Sequence, residues 1–293
     1  MIADVLKSAI RPTLRLLPDE MMIKLQYRYH LGRKLNLLQP KTFNEKLQWL
    51  KLYDRKPEYT VYVDKYAVRK HVAETIGEKY LIPLIGIYDD VDDINWQALP
   101  EQFVLKCTHG SGFNIICRDK TRFDVATSRK KLKRWMKQNL FWYGREWAYK
   151  NVKPRIICEK YMADESGIQL KDYKISCFDG KPKFITVVYN MSGSRRGNLY
   201  DLQWNYIDVS CQLPNDPNVN IKRPEKLEEM LKLAEKLAKG FYQLRVDLYY
   251  ADGNIYFGEM TLYDCSGYLK FNPEEFDKLL GSWIKLPDKA LPD

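Results

Sequence analysis

The sequence has few histidines and no closely spaced pair of cysteines. Only three of its 293 residues are histidine, and its six cysteines include no Cys-x-x-Cys pair. Zinc sites built from cysteine and histidine need such clusters, so the pattern disfavours this class of metal site. Isolated cysteines in apolar, strand-like segments are typical of buried thiols in a reducing compartment. We therefore expect any metal ion to be held by carboxylates.

A long uninterrupted apolar run is also missing. The chain begins Met1-Ile2-Ala3-Asp4 and carries charges throughout its first segment, unlike a signal peptide or a membrane-spanning helix. We therefore predict a cytoplasmic protein. Residues 1–39 do mix apolar and basic side chains, among them Leu6, Lys7, Ile10, Arg11, Leu14, Arg15 and Leu17. This mixture favours a helix packed on its own domain, and it also fits weak peripheral attachment to the inner face of the cell membrane.

Signatures of nucleic-acid-binding proteins are absent as well. The sequence contains no helix-turn-helix, zinc-finger or RNA-recognition pattern, and its lysines are spread along the chain. The formal net charge is +10, from 48 basic and 38 acidic residues. Such a surface attracts anions such as nucleotides, sugar nucleotides, nucleic acid or anionic lipid, and charge alone does not choose among these. Because the signatures are missing, nucleic acid is the minor alternative.

The pattern of apolar residues predicts an α+β fold. Helical periodicity occurs in residues 64–77, 124–140 and 224–240, whereas strand-like runs occupy 103–107, 114–118, 155–161, 172–178, 182–190, 243–247 and 256–261. These elements alternate without a repeat, which favours a mixed architecture over a solenoid. The polar residues 191–220 are predicted to form a long loop.

A glycine-rich loop, Thr108-His109-Gly110-Ser111-Gly112, joins two predicted strands. Glycine tolerates positive φ and close approach, so the loop can present backbone N–H groups to a phosphate. An ordinary hairpin turn explains the same residues. A Walker motif is excluded, because Lys106 precedes the glycines and a strand follows them.

Two carboxylates lie on consecutive predicted strands near the C-terminus. The alternation of side chains puts Arg245 and Asp247 on one face of the first strand, and Glu259 and Thr261 on one face of the second. Paired carboxylates suit magnesium that bridges nucleotide phosphates, although simple pairing with nearby cations is an equal alternative. A two-residue turn would separate the acids, so we predict an odd-length loop with a glycine bulge.

Taken together, residues 64–66, 103–112, 158–161 and the Asp247/Glu259 hairpin resemble the ordered motifs of the ATP-grasp superfamily. Nearly the whole chain resembles the TupA-like ATP-grasp proteins of teichuronopeptide and surface-polysaccharide biosynthesis, most clearly in residues 43–50, 103–117, 172–174 and 258–270. The resemblance implies an ATP-grasp fold, with the nucleotide between two mixed or antiparallel sheet subdomains. It also implies a helical region (1–60), a phosphate-loop subdomain (61–162) and a magnesium and substrate subdomain (163–293).

The same resemblance assigns roles to individual residues. The nucleotide-binding set is Lys65, Lys106, His109, Gly110, Ser111, Gly112, Glu159, Lys160, Tyr161 and Lys174. For His109, a structural role is an equal alternative. The magnesium ligands are Asp247, Glu259 and Thr261, where threonine replaces the usual asparagine. Lys106 and Arg245 are the catalytic candidates, with Arg245 expected to stabilise the transferred phosphoryl group.

Candidate substrate residues come from two further segments. Arg195 and Arg196 can clamp an anionic sugar or sugar nucleotide, although exposed loop arginines are common. Ser266 and Gly267 match the acceptor pocket of the family, where the segment 264–267 replaces a proline-glycine turn. Neither this departure nor Thr261 removes the two carboxylates, Asp247 and Glu259.

The reaction implied by the resemblance is ATP-dependent ligation of a carboxylate to an amine through an acyl phosphate. A uronic-acid sugar or polymer unit is the expected carboxylate, and an amino acid or other amine is its partner. Two alternatives stay open: a glycosyltransferase that uses a sugar nucleotide, and a non-catalytic module that binds ATP.

Overall fold

The computed structural model describes residues 15–164, 170–191 and 193–287, so the predicted apolar and basic positions from Leu6 to Leu14 lie outside the described residues. Its α-helices are α1 (Asp19–Leu31), α2 (Phe43–Tyr53), α3 (Tyr59–Val63), α4 (Val68–Thr75), α5 (Val125–Met136), α6 (Phe141–Gly144), α7 (Leu227–Ala238) and α8 (Glu275–Ser282). The three helices predicted from periodicity are thus confirmed, with ends that differ by a few residues.

The strands form two separate antiparallel sheets. They are β1 (Leu84–Tyr88), β2 (Phe103–Cys107), β3 (Asn114–Cys117), β4 (Ile156–Lys160), β5 (Asp172–Phe178), β6 (Lys181–Met191), β7 (Ser194–Tyr200), β8 (Tyr206–Ile207), β9 (Gln243–Ala251) and β10 (Asn254–Thr261). The smaller sheet has the order β1-β4-β2-β3, and the larger sheet has the order β10-β9-β5-β6-β7-β8. Helices around two antiparallel sheets confirm the predicted α+β class.

The smaller sheet buries one face under α5. Phe103, Leu105 and Cys107 of β2 are buried, and they belong to the same apolar cluster as Leu132 of α5 and Ile156 of β4. Side chains alternate along a strand, so the intervening residues of β2 point to the opposite face. That face is consequently available to line a cleft.

The larger sheet carries the main core, which α7 covers. The helix buries one stripe of its surface, including Leu227, Met230, Ala234 and Leu237. These residues share one large apolar cluster with Val246 of β9 and with residues of α2, α3 and α4. The predicted division of the chain into three regions, with boundaries after residues 60 and 162, stays a prediction.

The long loop predicted for residues 191–220 is wrong in its first half. β7 pairs with β6 along its whole length: Ser194 is opposite Met191 at one end, and Tyr200 is opposite Ile185 at the other. β8 pairs in turn with β7. The sequence Ser-Arg-Arg-Gly-Asn at the start of β7 lacks the apolar alternation by which strands are recognised. Hydrogen bonding to β6 extends this segment, and only the folded chain reveals that pairing.

The β9–β10 hairpin has a two-residue turn, so the predicted odd-length loop is wrong. Ala251 pairs with Asn254, and the turn residues Asp252 and Gly253 have φ values of 50° and 69°. The predicted bulge occurs further along, where Gly258 is skipped in the pairing and Glu259 faces Asp247. The expected meeting of the two carboxylates is therefore confirmed, by a bulge in the strand and not by the loop.

Gly258 is required by its close contacts. A Cβ atom at this position would lie 2.9 Å from the carbonyl oxygen of Asp247 and 3.1 Å from the Tyr249 ring. We expect Gly258→Ala to lower the free energy of unfolding by roughly 1–3 kcal/mol, because backbone and a packed ring must move.

Urea denaturation measures this change, and Gly197→Ala is the matched control. Gly197 also lies in a strand and has no positive φ, and the added methyl group would lie 3.5 Å from the nearest atom, so that variant adds a side chain without a clash. Equal stability of Gly258→Ala and the native protein would contradict the role of close packing at the bulge.

Candidate functional site

A cleft of about 290 Å³ lies between the two sheets. Val104 and Ile116 of the smaller sheet line one side, and Val188 and Tyr249 of the larger sheet line the other. Charged and polar side chains complete the lining, namely Lys106, Asn114, Arg118, Glu159, Lys160, Asp172 and Arg195. A slot with apolar walls and several charged groups suits a flat aromatic ligand that carries an anionic tail.

Glu159 is the buried acid on the smaller-sheet side of this cleft. Its Oε1 lies 3.1 Å from Nη1 of Arg69, and its Oε2 lies 2.7 Å from Nζ of Lys106. Arg69 also donates to the carbonyl of Ile82 at 2.9 Å, which fixes the guanidinium. Lys106 and Glu159, both predicted to bind nucleotide, are thus neighbours, and Tyr161 lies just beyond them in the cleft lining.

Lys65 connects the glycine-rich loop to the acidic hairpin. The carboxylate of Asp64 accepts hydrogen bonds from the backbone N–H groups of Tyr66 and Ala67 at 2.8 and 3.1 Å, which orders the start of α4. The backbone N–H of Lys65 donates to the carbonyl of Thr108 at 3.2 Å, and its Nζ lies 3.2 Å from Oε2 of Glu259.

Within the glycine-rich loop, His109 faces away from the cleft. It is buried, and its Nε2 lies 3.0 Å from the carbonyl of Trp135 in α5. Burial lowers its pKa below the usual range. Gly110 is needed because a Cβ would lie 2.4 Å from the Phe113 ring, whereas Ser111 and Gly112 are exposed. This geometry supports the structural alternative for His109.

Arg245 and Asp247 form the centre of the acidic cluster on β9 and β10. Nε of Arg245 lies 2.6 Å from Oδ1 of Asp247, and its Nη2 lies 3.0 Å from Oε1 of Glu259. The guanidinium also contacts Asp264. Thr261 donates a hydrogen bond to the same Glu259 oxygen at 3.1 Å. The structure therefore brings all four predicted hairpin residues into contact.

Lys174 approaches the cluster from β5. It contacts Asp247 and lies 3.8 Å from Oδ2 of Asp172, an acid that also lines the cleft. β5 pairs with β9 so that Lys174 is opposite Asp247. Three cations, Lys65, Lys174 and Arg245, thus surround the acids of the hairpin.

The pKa values in the cluster follow from these neighbours. Burial would raise the pKa of Glu259, but Lys65, Arg245 and Lys174 outweigh it and lower the pKa below its usual range. Burial would lower the pKa of Arg245, yet Asp247, Asp264 and Glu259 raise it well above normal. Glu259 is therefore held as a carboxylate, the form that a metal ion binds.

Magnesium fits this arrangement in one specific way. Among the described residues, no group of three or more His, Cys, Asp or Glu side chains is arranged to hold a metal. Magnesium is commonly held by one or two carboxylates together with substrate phosphates. Asp247 and Glu259, opposite each other at the bulge, provide that donor set, and the Thr261 hydroxyl lies beside it.

A tight turn follows β10 and contains the predicted acceptor residues. Cys265, Ser266 and Gly267 have φ values of 45°, 57° and 68°, so three consecutive residues are left-handed. Such backbone persists only where surrounding contacts hold it. Helix α2 supplies these contacts through polar side chains on its buried face.

Those polar side chains recur at helical spacing. The Asn44 side chain and the Leu269 backbone exchange two hydrogen bonds of 2.9 Å, and Nε2 of Gln48 donates to the carbonyl of Gly267 at 2.7 Å. One turn further, Lys51 is completely buried. The helical region thereby fixes the conformation of the turn.

Lys51 joins this turn to the last residue of α6. Its Nζ donates to the carbonyls of Gly144 and Ser266 at 2.7 and 2.8 Å, and to Oγ of Ser266 at 3.2 Å. A Cβ on Gly144 would lie 2.0 Å from that hydroxyl and 3.2 Å from Oε1 of Glu146. Burial lowers the pKa of Lys51 to about 7, although Glu146 opposes the shift.

The two arginines predicted to bind substrate lie apart and contact different acids. Arg195 lines the cleft and lies 3.6 Å from Oδ2 of Asp172, whereas Nη1 of Arg196 lies 3.7 Å from Oδ2 of Asp216. They are neighbours on β7, so they point to opposite faces. A clamp made by both arginines is therefore not formed in this arrangement.

Sequence reasoning missed several residues of the site. Arg69, Asp172, Tyr249 and Asp264 were not identified, because each gains its role from a partner distant in sequence. The buried polar stripe of α2 did carry a signal, since Asn44, Gln48 and Lys51 follow at four- and three-residue intervals. Polar residues on the apolar face of a helix indicate a buried hydrogen-bonded partner.

Comparison with known proteins gives one family match. Residues 45–285 match the family described as TupA-like ATPgrasp. No curated protein matches the chain. Solved structures with a similar fold include a D-alanine–D-alanine ligase from Bacillus anthracis complexed with ATP, at 17% identity and a TM-score of 0.42. That match covers 69% of this chain and 55% of the other.

Two further structures show the same level of similarity. An L-amino acid ligase from Bacillus licheniformis is 13% identical with a TM-score of 0.47, covering 85% of this chain and 56% of that one. A D-alanine–D-alanine ligase from Helicobacter pylori is 13% identical with a TM-score of 0.41, covering 84% and 69%. This chain thus spans only part of the first two of these structures.

The environment of Lys51 predicts a pH dependence of stability. Its pKa is about 7 in the folded protein and 10.5 for the ordinary group, so the unfolded chain binds more protons between these values. Raising the pH from about 7 to about 10 should therefore stabilise the native protein relative to Lys51→Met, by up to ~1.4 kcal/mol per pH unit.

Denaturant unfolding at several pH values measures this difference. Lys278→Met, which removes an exposed lysine, is the control and should follow the native curve. Parallel curves for Lys51→Met and the native protein would show that Lys51 does not release its proton in this window.

Proposed function

Because the chain belongs to the TupA-like ATP-grasp family, we propose that it is an ATP-dependent carboxylate–amine ligase. The observation that carries the proposal is the facing pair Asp247 and Glu259, with Lys65 and Lys174 in contact with them. Two acids with lysine ammonium groups beside them provide what magnesium and a polyphosphate require together.

ATP binding makes use of the cleft between the sheets. The apolar walls would hold the adenine near Glu159, Lys160 and Tyr161, which line the cleft. The phosphates would then extend past Lys106 toward the acidic hairpin, under the backbone of Gly110, Ser111 and Gly112. Exposed glycine-loop N–H groups and ammonium groups are effective partners for phosphate oxygens.

Arrival of the phosphates changes the ion pairs of the hairpin. Lys65 and Lys174 exchange their contacts with Glu259 and Asp247 for phosphate oxygens, which frees carboxylate oxygens. Asp247, Glu259 and Thr261 would hold magnesium, which would supply positive charge that neutralises the phosphates. Lys106 and Arg245 act as the catalytic cations, since phosphoryl transfer depends mainly on positioning and charge stabilisation.

The reaction proceeds in two steps. An oxygen of the substrate carboxylate attacks the γ-phosphorus of ATP, the bond to the β-phosphate oxygen breaks, and ADP leaves. The amine then attacks the carbonyl carbon of the acyl phosphate, inorganic phosphate leaves, and the amine loses a proton. Ser266, Gly267 and the adjacent Glu146 form the acceptor subsite, where Glu146 receives that proton.

The charge of the cleft and family membership support the proposed substrate class. Arg195 at the cleft provides positive charge for a uronic-acid sugar, sugar nucleotide or polymer unit, whereas Arg196 on the opposite face of β7 pairs with Asp216. An amino acid or other amine is the second substrate, in the assembly of a capsule or other surface polysaccharide. The ATP requirement implies that the reaction occurs in the cytoplasm.

Magnesium-dependent release of ADP and phosphate tests the ligase. ATP is incubated with a panel of uronic acids, sugar nucleotides and amino acids, and product masses are recorded. We expect release that needs both an acid and an amine, with a product lighter than their sum by one water. Asp247→Asn and Glu259→Gln should each slow turnover about a hundredfold or more.

Asp252→Asn, an exposed substitution in the same hairpin, is the control and should keep full activity. If the protein binds ATP but turns over none of the acid and amine pairs, the ligase proposal is overturned in favour of a non-catalytic module that binds ATP. Release of a nucleoside diphosphate from a sugar nucleotide without ATP would instead identify a glycosyltransferase.

A second experiment separates the acceptor subsite from acyl phosphate formation. Hydroxylamine intercepts an acyl phosphate without needing a shaped amine site. With the acid found in the panel, we expect Glu146→Gln to keep hydroxamate formation and to lower kcat with the natural amine about a hundredfold, because the proton acceptor for the amine is lost. Glu225→Gln, at an exposed position, is the control. An equal fall of both activities would remove Glu146 from the acceptor role.

A further inference from the structure

Large apolar side chains are exposed along the first described segment. Leu16 is 84% exposed, Met21 51%, Leu25 48%, Tyr29 79% and Leu38 81%. Eleven large hydrophobic residues are exposed in the described part of the chain, and these five fall within 23 consecutive residues. Scattered apolar residues need no explanation, but such a concentration indicates a binding surface.

The faces of α1 explain why these residues are exposed. Ile23 and Tyr27 are buried and anchor the helix to the protein. At about 100° per residue, Met21, Leu25 and Arg28 lie on the opposite face. They line a groove together with Pro18, Glu20, Lys24, Lys34 and Leu35. We call this set the outer face of α1.

Basic side chains surround the apolar stripe. Lys24, Arg28 and Lys34 line the groove, and each of them is exposed. Glu20 is the acidic residue of the groove, and its Oε1 lies 2.5 Å from Nζ of Lys24. The outer face is therefore apolar along its middle and carries a net positive charge at its edges.

We propose that the outer face of α1 docks the protein on a lipid surface that contains anionic phospholipid. The apolar side chains enter the boundary between headgroups and acyl chains, and the basic residues pair with phosphate headgroups. No helix in the described residues is long and apolar enough to cross a membrane. The contact is thus peripheral, and it goes beyond the proposed ligase activity because it needs neither ATP nor substrate.

A third face of the same helix contacts the turn after β10. Oε1 of Gln26 accepts a hydrogen bond from the Tyr268 hydroxyl at 2.9 Å, and His30 stacks on the Tyr268 ring with centroids 4.8 Å apart. One helix therefore separates the docking surface from the Ser266–Gly267 turn.

Sedimentation of the full chain with vesicles tests the proposal. Vesicles of phosphatidylcholine are compared with vesicles that contain about 30% phosphatidylglycerol, without nucleotide. We expect binding to the anionic vesicles only, weakened by salt. Met21→Ser with Leu25→Ser, and Arg28→Ala with Lys34→Ala, should each weaken binding about tenfold or more.

The basic helix α5 provides a matched control. Lys130 and Arg134 are exposed, and α5 contributes no residue to the exposed large hydrophobics of the described chain. Lys130→Ala with Arg134→Ala removes the same charge and should leave vesicle binding within about twofold of the native protein. Circular dichroism checks that all variants are folded.

Three outcomes would overturn the proposal. An equal loss of binding in the α5 variant would show adsorption by net charge alone. Absence of binding to anionic vesicles would remove the lipid surface as the occupant. If sedimentation velocity shows a dimer of the native protein and a monomer of the Met21→Ser and Leu25→Ser double variant, the outer face binds a second copy of the chain. None of these results depends on ligase activity.

Discussion

The ion network around Arg245 is the interaction on which the arrangement of the site depends. One guanidinium contacts Asp247, Glu259 and Asp264, which belong to β9, β10 and the turn that follows. Buried ion pairs of this kind add little net stability, because each charge loses its hydration. Removing one partner is costly, however, because it leaves an uncompensated charge. The network therefore fixes geometry more than it stabilises the fold.

The network is only possible because the hairpin is irregular. The skipped residue Gly258 turns Glu259 to the face of Asp247, and its missing side chain makes room for the Asp247 carbonyl. From there the constraint spreads to the turn that contains Ser266. That turn has left-handed backbone at three successive residues, and Lys51 from the helical N-terminal region holds it. The helical region thus shapes the turn that we propose as the acceptor subsite.

Prediction from sequence succeeded where a residue's role is set by near neighbours. Apolar periodicity located α4, α5 and α7 with errors of a few residues at their ends. Prediction failed where a partner that is distant in sequence determines the local structure. The polar strand β7 was taken for a loop, since its extended form comes from pairing with β6. For β9 and β10, the predicted pairing of Asp247 with Glu259 was right, but it results from the bulge at Gly258 and not from an odd-length loop.

The sequence by itself determined the α+β class, the family, and the residue types that can hold phosphate and magnesium, because short-range patterns and ordered motifs specify these. Only the tertiary structure decided which charges meet. It paired Lys106 with Glu159 and Lys65 with Glu259, turned His109 toward α5, and buried Lys51 against Ser266. Such contacts join segments that are far apart along the chain, and their energies depend on burial and distance, which only the folded arrangement defines.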